Sequence, residues 1–398
     1  MAGTHLLLTY DFPPIGGGIA RWMAELAKRY PAGSLVVSTG QNGDSSDVDA
    51  GFPNRVDRLA IHARRLRTIQ GLLLWSRRVA VLARSTDAEF IWCGNIKPAA
   101  YPARWTMERT GTPFGILLHG GDLLILQHQI HQSALKRKTA AALLSAAAVL
   151  VANSEWTRDR CLTLLGELEI DAPADLVRVV PLGADQTFFR PGIDTTEVRA
   201  RYGLDAGRWL LSVARLTRHK GIDTALGALA RLAGRHPDLR YAVVGTGEER
   251  EALEAEAREL GVAERVRFLT DVPDRDLPAL YNSADIYLGI SRLMEQRVEG
   301  FGISLAEASA CGIPVVAGRS GGIPAAVREG ETGLLVDAES VEAVSQTVER
   351  LLGDAPLRAR LGAAGRRAVE THYNWDRVTR DLVRIGRELG APAKQVAG

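Results

Sequence analysis

The chain has 398 residues, of which 46% are hydrophobic and 24% charged, and its formal net charge is +2. These values are typical of an ordinary globular protein, and they argue against a dedicated nucleic-acid binder. At roughly 100–200 residues per domain, the length predicts two domains, each long enough to bury its own core.

The first half of the chain alternates short apolar runs with amphipathic helical segments. Such runs, rich in Leu, Ile and Val, are typical of buried strands. They lie at residues 5–10, 34–39, 56–61, 90–94, 114–120, 149–154 and 177–183. The most apolar stretch, residues 139–153, is shorter than the ~20 residues that span a membrane, and it predicts a buried helix followed by a strand.

The second half repeats this alternation after a segment punctuated by Pro and Gly, residues 182–198. Its apolar runs lie at residues 209–216, 240–245, 266–270, 285–290, 314–318 and 333–336. Continuous apolar strands between helices predict parallel sheets covered on both faces. We therefore expect an α/β protein with two doubly wound parallel-sheet domains that face each other across a cleft. The predicted boundaries are 1–188 and 189–373, and a C-terminal helix in 374–398 crosses back to the first domain.

The three cysteines, Cys93, Cys161 and Cys311, are far apart and match no metal-binding or redox spacing. We interpret them as buried thiols in a reducing cytosol. The N-terminal apolar run is broken by Asp11 and follows no basic segment, so the sequence predicts no signal peptide. We expect a cytoplasmic protein.

Three consecutive glycines, Gly16, Gly17 and Gly18, separate the first predicted strand from a helix expected to begin near Ile19. Glycine permits backbone conformations that other residues avoid, and the free N–H groups at the start of a helix favour anions. We interpret the run as a phosphate- or substrate-binding turn. A tight strand-to-helix turn is the alternative, because the run lacks both the P-loop pattern and a full G-x-G-x-x-G motif.

Three further polar side chains stand close to the ends of predicted strands. His119 ends the fifth run, Arg215 lies near the end of the eighth, and Lys220 precedes a helical segment. Ligands bind beyond the carboxyl ends of strands in doubly wound sheets, so we interpret His119 as functional. Arg215 and Lys220 are suited to hold a diphosphate and stabilise it as a leaving group without a metal ion. Solvated loop charges are the alternative.

Two glutamates flank a Gly-Phe-Gly turn in the segment EGFGISLAE, which begins at Glu299 and ends at Glu307. Eight helical positions would span ~12 Å, more than the ~5–9.5 Å of a glycosidase pair. We therefore assign Glu299 to sugar hydroxyls and Glu307 to a ribose. A capping box from Ser304 to Glu307 is the alternative for the second glutamate. Backbone N–H groups that would point at a phosphate belong to Phe301, Gly302, Ile303 and Ser304.

In their order along the chain, these segments resemble the retaining GT-B glycosyltransferases. The resemblance spans nearly the whole chain. It is carried by DFPPIGGGIARW, the HG at His119, VANSEWTRD, PLGADQTFFRP, RLTRHKG, EGFGISLAE and GRSGGIPAAVREGETGLLV. It implies transfer of a hexose from a nucleotide sugar with retention of configuration and without an obligatory metal or other cofactor. The acceptor would be a glycan, a glycolipid or a small molecule.

By the same resemblance, Arg215 and Lys220 would hold the donor diphosphate, and His119 would sit beside the transferred sugar. Gly17 and Gly18 would approach the diphosphate or the acceptor, and the backbone of Val272 would contact the base. The segment at 292–298 is longer than in many members and resembles the phosphatidylinositol-mannoside type of α-mannosyltransferase. GDP-mannose is therefore the favoured donor, with a UDP-sugar as the alternative.

A basic amphipathic stretch covers residues 61–84. It predicts peripheral contact with the inner face of an anionic membrane. A surface helix that packs its apolar side is the alternative. Its basic and apolar residues include Arg64, Arg65, Arg67, Arg77, Arg78, Leu72, Leu73, Leu74 and Trp75.

Two other functions fit two doubly wound domains. A nucleotide-sugar 2-epimerase would convert its substrate without an acceptor, although Glu299, Glu307 and the Arg215–Lys220 pair fit it less well. A non-catalytic module would bind a nucleotide sugar without transferring or hydrolysing it.

Overall fold

The computed structural model describes residues 3–43, 45–204 and 207–390. The chain divides into two compact units, Met1–Pro181 with Trp375–Gly398, and Leu182–Asn374. The boundary between the two units after Pro181 lies seven residues before the predicted domain boundary at residue 188. The reason is that the Ala184 N–H donates to the Tyr373 carbonyl at 2.9 Å, so the segment after Pro181 belongs to the second unit.

The first unit contains a parallel sheet in the order β3-β2-β1-β4-β5-β6-β7. Its strands are β1 (Thr4–Leu8), β2 (Leu35–Gln41), β3 (Arg55–His62), β4 (Ala88–Cys93), β5 (Phe114–Leu118), β6 (Val149–Ala152) and β7 (Val177–Val179). Its helices up to this point are α1 (Gly18–Arg29), α2 (Ser46–Ala50), α3 (Ile69–Ser85), α4 (Ala100–Thr110), α5 (Gly121–Gln132), α6 (Ala134–Leu144) and α7 (Glu155–Glu167).

The second unit contains a parallel sheet in the order β10-β9-β8-β11-β12-β13. Its strands are β8 (Arg208–Val213), β9 (Leu239–Val244), β10 (Val266–Leu269), β11 (Ile286–Gly289), β12 (Val315–Gly318) and β13 (Gly333–Val336). Its helices are α8 (Thr196–Tyr202), α9 (Ile222–Leu232), α10 (Arg250–Glu259), α11 (Leu277–Asn282), α12 (Ile303–Ala310), α13 (Val341–Gly353) and α14 (Ala355–Thr371).

The last described helix, α15 (Trp375–Gly390), belongs to the first unit. It packs closely on the sheet, since a Cβ added at Gly386 would lie 2.6 Å from Cε1 of His5. Arg178 also holds the helix through a two-point contact with Glu388, at 2.9 and 2.8 Å.

Each of the thirteen predicted apolar runs overlaps one of the strands, so the prediction of two doubly wound parallel sheets is confirmed. The buried aromatic side chains include Trp75 and Trp92 in the first unit and Trp209 and Tyr241 in the second. The three cysteines are buried, as predicted. Among the described residues, no helix combines the length and hydropathy that crossing a membrane requires.

The strand order of both sheets reverses at one point. β1 pairs with both β2 and β4, and β8 pairs with both β9 and β11. The connections that leave two such adjacent strands diverge to opposite sides, which opens a crevice beyond their carboxyl ends. A ligand site in the second unit is therefore expected at the loops that follow β8 and β11.

Candidate active site

Lys220 and Glu299 form an ion pair at the reversal point of the second sheet. Lys220 ends a short 3-10 turn, Arg218–Lys220, in the loop after β8, whereas Glu299 lies in the loop after β11. The turn is followed by Gly221, whose φ of 67° is in the left-handed region. A Cβ there would lie 1.9 Å from the Ile290 carbonyl oxygen, so only glycine lets the two loops approach this closely.

The electrostatics of this pair keep Glu299 ionised. The Lys220 and Glu299 side chains are 15% and 22% exposed, so each keeps an open side. Burial raises the pKa of Glu299, but the charge and hydrogen bond of Lys220, with smaller effects of His219 and Arg215, outweigh burial and leave the pKa below its ordinary value. The site thus offers a carboxylate acceptor beside a cation.

A glycine turn fixes the backbone of Glu299. The Gly322 N–H donates to the Glu299 carbonyl at 2.8 Å. A Cβ on Gly321, whose φ is 55°, would lie 2.6 Å from the same oxygen and 2.3 Å from Cγ2 of Val298. Sequence reasoning quoted this Gly-Gly pair as part of the family resemblance but gave it no role.

The Gly-Phe-Gly turn at residues 300–302 leads directly into α12, as predicted. Gly302 precedes the helix with a φ of 96°, and a Cβ there would lie 2.5 Å from Cδ1 of Leu305. Phe301 and Gly302 are buried, and Ile303 and Ser304 are half-buried. Gly302, Ile303 and Ser304 provide the first N–H groups of the helix, which favour an anion, and Phe301 lies directly before them.

A small cavity of about 10 Å³ joins Ser304 to the ion pair, and Ser212 and Tyr287 also line it. That volume is close to the space of one water molecule. The Tyr287 hydroxyl donates to the Val213 carbonyl at 3.2 Å and accepts from the Val213 N–H at 3.3 Å. The floor of the site is therefore polar and well connected.

The capping-box alternative for Glu307 is wrong. Gly302 is the N-cap of α12, and no side chain caps the helix, so Ser304 lies inside the first turn rather than at its start. Glu307 is 4% exposed and accepts a hydrogen bond from the Tyr281 hydroxyl at 2.8 Å. Burial, and then the charge of Glu307, raise the pKa of Tyr281. The assignment of Glu307 to a ribose stays a prediction.

Arg215 lies in the loop after β8, and its side chain is exposed. Among the described residues, none forms a hydrogen bond or ion pair with its guanidinium group. The Gly-Thr-Gly loop after β9 holds the segment of Arg215, because the backbone N–H of Leu216 donates to the Thr246 carbonyl at 2.8 Å. A Cβ on Gly247 would lie 2.2 Å from the Leu216 carbonyl oxygen. This Gly-Thr-Gly loop packs around Leu216 and leaves Arg215 available.

Val272 lies in the loop after β10 and is half-buried. In the order β10-β9-β8, this loop is two strands away from the loop of Lys220, at the same edge of the sheet. The structure therefore brings the loops of Lys220, Glu299 and Val272 to one edge. Contact between Val272 and a base stays a prediction.

His119 follows β5 in the first unit. Its Nε2 lies 2.6 Å from the Gly94 carbonyl oxygen, which can only accept, so Nε2 is the donor of this hydrogen bond. The edge of the ring packs on Trp22, with centroids 5.0 Å apart. The backbone N–H of His119 donates to Oδ1 of Asp122 at 3.0 Å.

Gly17 and Gly18 also lie in the first unit, where both are exposed. Gly17 precedes α1 with a φ of 118°, and the space beside its Cα is open. Sequence reasoning missed Asn95, which follows the strand β4 after one glycine, Gly94. This residue is 4% exposed, and within the described parts of the chain its amide atoms have no hydrogen-bond partner.

Two doubly wound units, with a lysine–glutamate pair at the reversal point of the second sheet, fit the GT-B class of glycosyltransferases. Residues 194–368 match the family model described as "Glycosyl transferases group 1". Residues 16–188 match the model described as "Glycosyltransferase Family 4".

The GDP-mannose-dependent alpha-(1-6)-phosphatidylinositol monomannoside mannosyltransferase of Mycolicibacterium smegmatis is 32% identical over 377 residues, which cover 93% of this chain and 94% of that protein. The protein of the same name from Mycobacterium tuberculosis is 32% identical, over 95% of this chain and 96% of its own. The chain therefore belongs to the group 1 glycosyltransferases of GT-B fold, and it is a hexosyltransferase. This finding sets aside the epimerase and the non-catalytic module.

Solved structures show the same fold. Sucrose-phosphate synthase from Thermosynechococcus elongatus has a TM-score of 0.79 and 22% identity, over 97% of this chain and 99% of that one. Anabaena HepE in complex with UDP-glucose has a TM-score of 0.78 and 21% identity, over 97% of this chain and 100% of that one.

Proposed function

We propose that the protein transfers mannose from GDP-mannose to a glycolipid acceptor, with retention of configuration and without a metal ion. Two relatives that cover almost the whole chain are GDP-mannose-dependent enzymes by name, and their names specify a phosphatidylinositol mannoside. The observation that carries the proposal is the Lys220–Glu299 pair at the reversal point of the second sheet.

In this proposal the second unit binds the donor. Arg215 and Lys220 pair with the diphosphate, and the N–H groups at the start of α12 add further positive potential. Glu299 accepts hydrogen bonds from the sugar hydroxyls. Because Lys220 already contacts Glu299, one cation orients the carboxylate and also faces the leaving group.

The chemical step is a same-face displacement. The bond from the anomeric carbon to the phosphate oxygen breaks, and the acceptor oxygen bonds to that carbon on the same face. The proton of the acceptor hydroxyl passes to a donor phosphate oxygen. Protein groups act by positioning and by stabilising the negative charge that develops on the diphosphate. His119 is assigned to the sugar, and Gly17 and Gly18 to the diphosphate or the acceptor, on the family resemblance.

The donor is tested first by thermal unfolding with GDP-mannose, UDP-glucose and ADP-glucose, since a ligand of the native state raises the melting temperature. GDP-mannose is expected to give the largest shift. Mannose transfer to phosphatidylinositol mannosides is then measured, and the anomeric configuration of the product is read by NMR. A larger shift with a UDP-sugar, or an inverted product, would refute the corresponding part of the proposal.

A membrane-bound acceptor requires a surface that meets the bilayer, and α3 supplies one. Its buried residues include Trp75, Val79 and Leu82, so one face packs on the unit, as the packing alternative requires. Apolar side chains are nevertheless exposed on the same helix: Ile69 (81%), Leu73 (55%), Leu74 (40%) and Val81 (52%).

Basic residues continue this surface. Arg64, Arg65 and Arg67 lie in the 3-10 turn Ala63–Arg67, just before α3. Exposed apolar residues next to arginines are typical of a helix that lies on an anionic bilayer. In co-sedimentation with vesicles containing phosphatidylinositol, Ile69→Gln with Leu73→Gln is expected to reduce the bound fraction. Exposed Leu162 of α7, changed to Gln, serves as the control, and equal pelleting of all proteins would refute the contact.

A further inference from the structure

The segment between β11 and Glu299 is tied to the first turn of α9 by a single arginine. Arg292 donates to Oδ2 of Asp223 at 2.5 Å and to Oγ1 of Thr224 at 3.0 Å. Its backbone N–H donates to the His219 carbonyl at 2.8 Å. The Arg292 side chain is 11% exposed, so these contacts are shielded and are stronger than those of a surface pair.

The same segment is confined on two sides by glycines. Gly221, directly after Lys220, leaves no room for a Cβ beside the Ile290 carbonyl, at 1.9 Å. Gly318, at the end of β12, leaves none beside the Ser291 carbonyl, at 2.4 Å. The segment that leads to Glu299 therefore lies between the turn of Lys220 and the end of β12. Arg292 adds the side-chain contacts that hold it there.

A second arginine of the segment makes a different kind of contact. Arg297 pairs with Glu248 at 2.7 Å, but both side chains are more than half exposed, at 55% and 59%. Exposed pairs of this kind contribute little to stability. Arg297 therefore provides a matched control, because it lies in the same segment and also pairs with an acidic residue.

We propose that Arg292 is a positioning residue for the transfer reaction. By joining the segment of Glu299 to the first turn of α9, it fixes the Glu299 carboxylate relative to the Lys220 ammonium group. The inference rests on the proposed function, because the pair is taken to bind the donor. Arg292 itself acts through its contacts with Asp223, Thr224 and His219.

The geometry of the guanidinium group explains why arginine is required. Two different nitrogens reach two acceptors on neighbouring residues, and a lysine ammonium group is a point donor without this planar fork. Arg292→Lys is therefore expected to recover only part of the function that Arg292→Gln loses. Asp223→Asn is expected to resemble Arg292→Gln, since it weakens the same tie.

The test is a double-mutant cycle on GDP-mannose affinity, measured by titration calorimetry. Arg292→Gln is expected to weaken binding about tenfold in the wild-type background, and less than twofold in a Lys220→Met background, because residues that act as a unit are not additive. Arg297→Gln is expected to change affinity less than twofold. Melting temperatures confirm that each variant is folded.

The outcomes separate the inference from the proposed function. If the wild-type protein binds no nucleotide sugar, the proposed function and this inference both fail. If it binds GDP-mannose and Arg292→Gln binds equally well, the inference alone is overturned. It is also overturned if Arg292→Gln weakens binding by the same factor in the Lys220→Met background, because the residue then acts independently of the pair.

Discussion

The Lys220 ammonium group donates to Oε2 of Glu299, although the two residues are 79 positions apart in the chain. The contact exists because β8 and β11 are adjacent strands, and each residue lies in the loop that follows one of them. The fold thus brings together the cation that we propose for the diphosphate and the carboxylate that we propose for the sugar hydroxyls.

The first prediction concerns this pair. Lys220→Met and Glu299→Gln are each expected to lower kcat/KM for the donor by about 10²–10³-fold, the loss typical of removing one preorganised group from a reaction centre. Steady-state transfer is measured alongside thermal unfolding. Arg235→Gln, in a surface pair whose arginine is 61% exposed, is the control. Full activity of either site variant in folded protein would contradict the assignment.

The second prediction concerns pH. The pKa of Glu299 lies below its ordinary value of 4.5, so its carboxylate stays ionised as the pH falls through 4.5. The contacts of this carboxylate with the nucleotide sugar, and its contribution to stability, are lost only as the pH falls through the lowered pKa of Glu299. In the wild-type protein, the acidic limb of donor affinity should thus lie below pH 4.5.

Removing the lysine should move this limb. Without the charge of Lys220, burial is the larger effect on Glu299 and raises its pKa. GDP-mannose affinity of Lys220→Met is therefore expected to fall at a higher pH than that of the wild-type protein. Binding is measured from pH 4 upwards, with Lys138→Met as a surface control. Superimposable profiles for wild-type and Lys220→Met proteins would contradict this account.

The third prediction separates steric conflict from backbone strain. Gly330, like Gly302, has a positive φ, at 71° compared with 96°, but the space beside Gly330 is open. Gly330→Ala is expected to cost about 1–2 kcal/mol of unfolding free energy, from the left-handed backbone alone. Gly302→Ala should cost about 2–4 kcal/mol, since its Cβ also meets Leu305. Urea unfolding gives both values, and equal losses would show that the contact with Leu305 relaxes freely.

The fourth prediction tests what holds Glu307. Tyr281→Phe keeps the ring but removes the hydroxyl that donates to the buried carboxylate. We expect a loss of about 1–3 kcal/mol of unfolding free energy. Tyr202→Phe removes a similar bond, of 2.7 Å, to Asp276. Tyr202 is only half-buried, whereas Tyr281 is fully buried, so the control should cost less. A loss no greater than that of the control would show that the bond does not stabilise Glu307.

The strands were predictable from sequence because a strand buried on both faces is a continuous apolar run, and every such run overlaps a strand. Lys220 was singled out because it follows such a run, and Glu299 because it directly precedes a Gly-Phe-Gly turn. The capping box was wrongly considered because Ser304 and Glu307 have the right spacing. The helix start is instead fixed by the left-handed backbone at Gly302, which the spacing of Ser304 and Glu307 does not reveal.

Other parts of the site depend on contacts between distant segments. The bond from Tyr281 to Glu307 joins α11 to α12, and the contacts of Arg292 reach back to α9. No local pattern marks either residue. Asn95 had a weak signal, since it follows a buried strand after one glycine, but that its amide has no hydrogen-bond partner among the described residues is visible only in the folded chain.

The most direct test of the central claim is a crystal structure of the protein with GDP-mannose. We predict that the diphosphate oxygens lie within hydrogen-bond distance of Arg215 and Lys220, and that a mannose hydroxyl donates to Glu299. A donor bound elsewhere than beyond the carboxyl ends of β8 and β11, with Lys220 and Glu299 still paired and remote from it, would contradict the account.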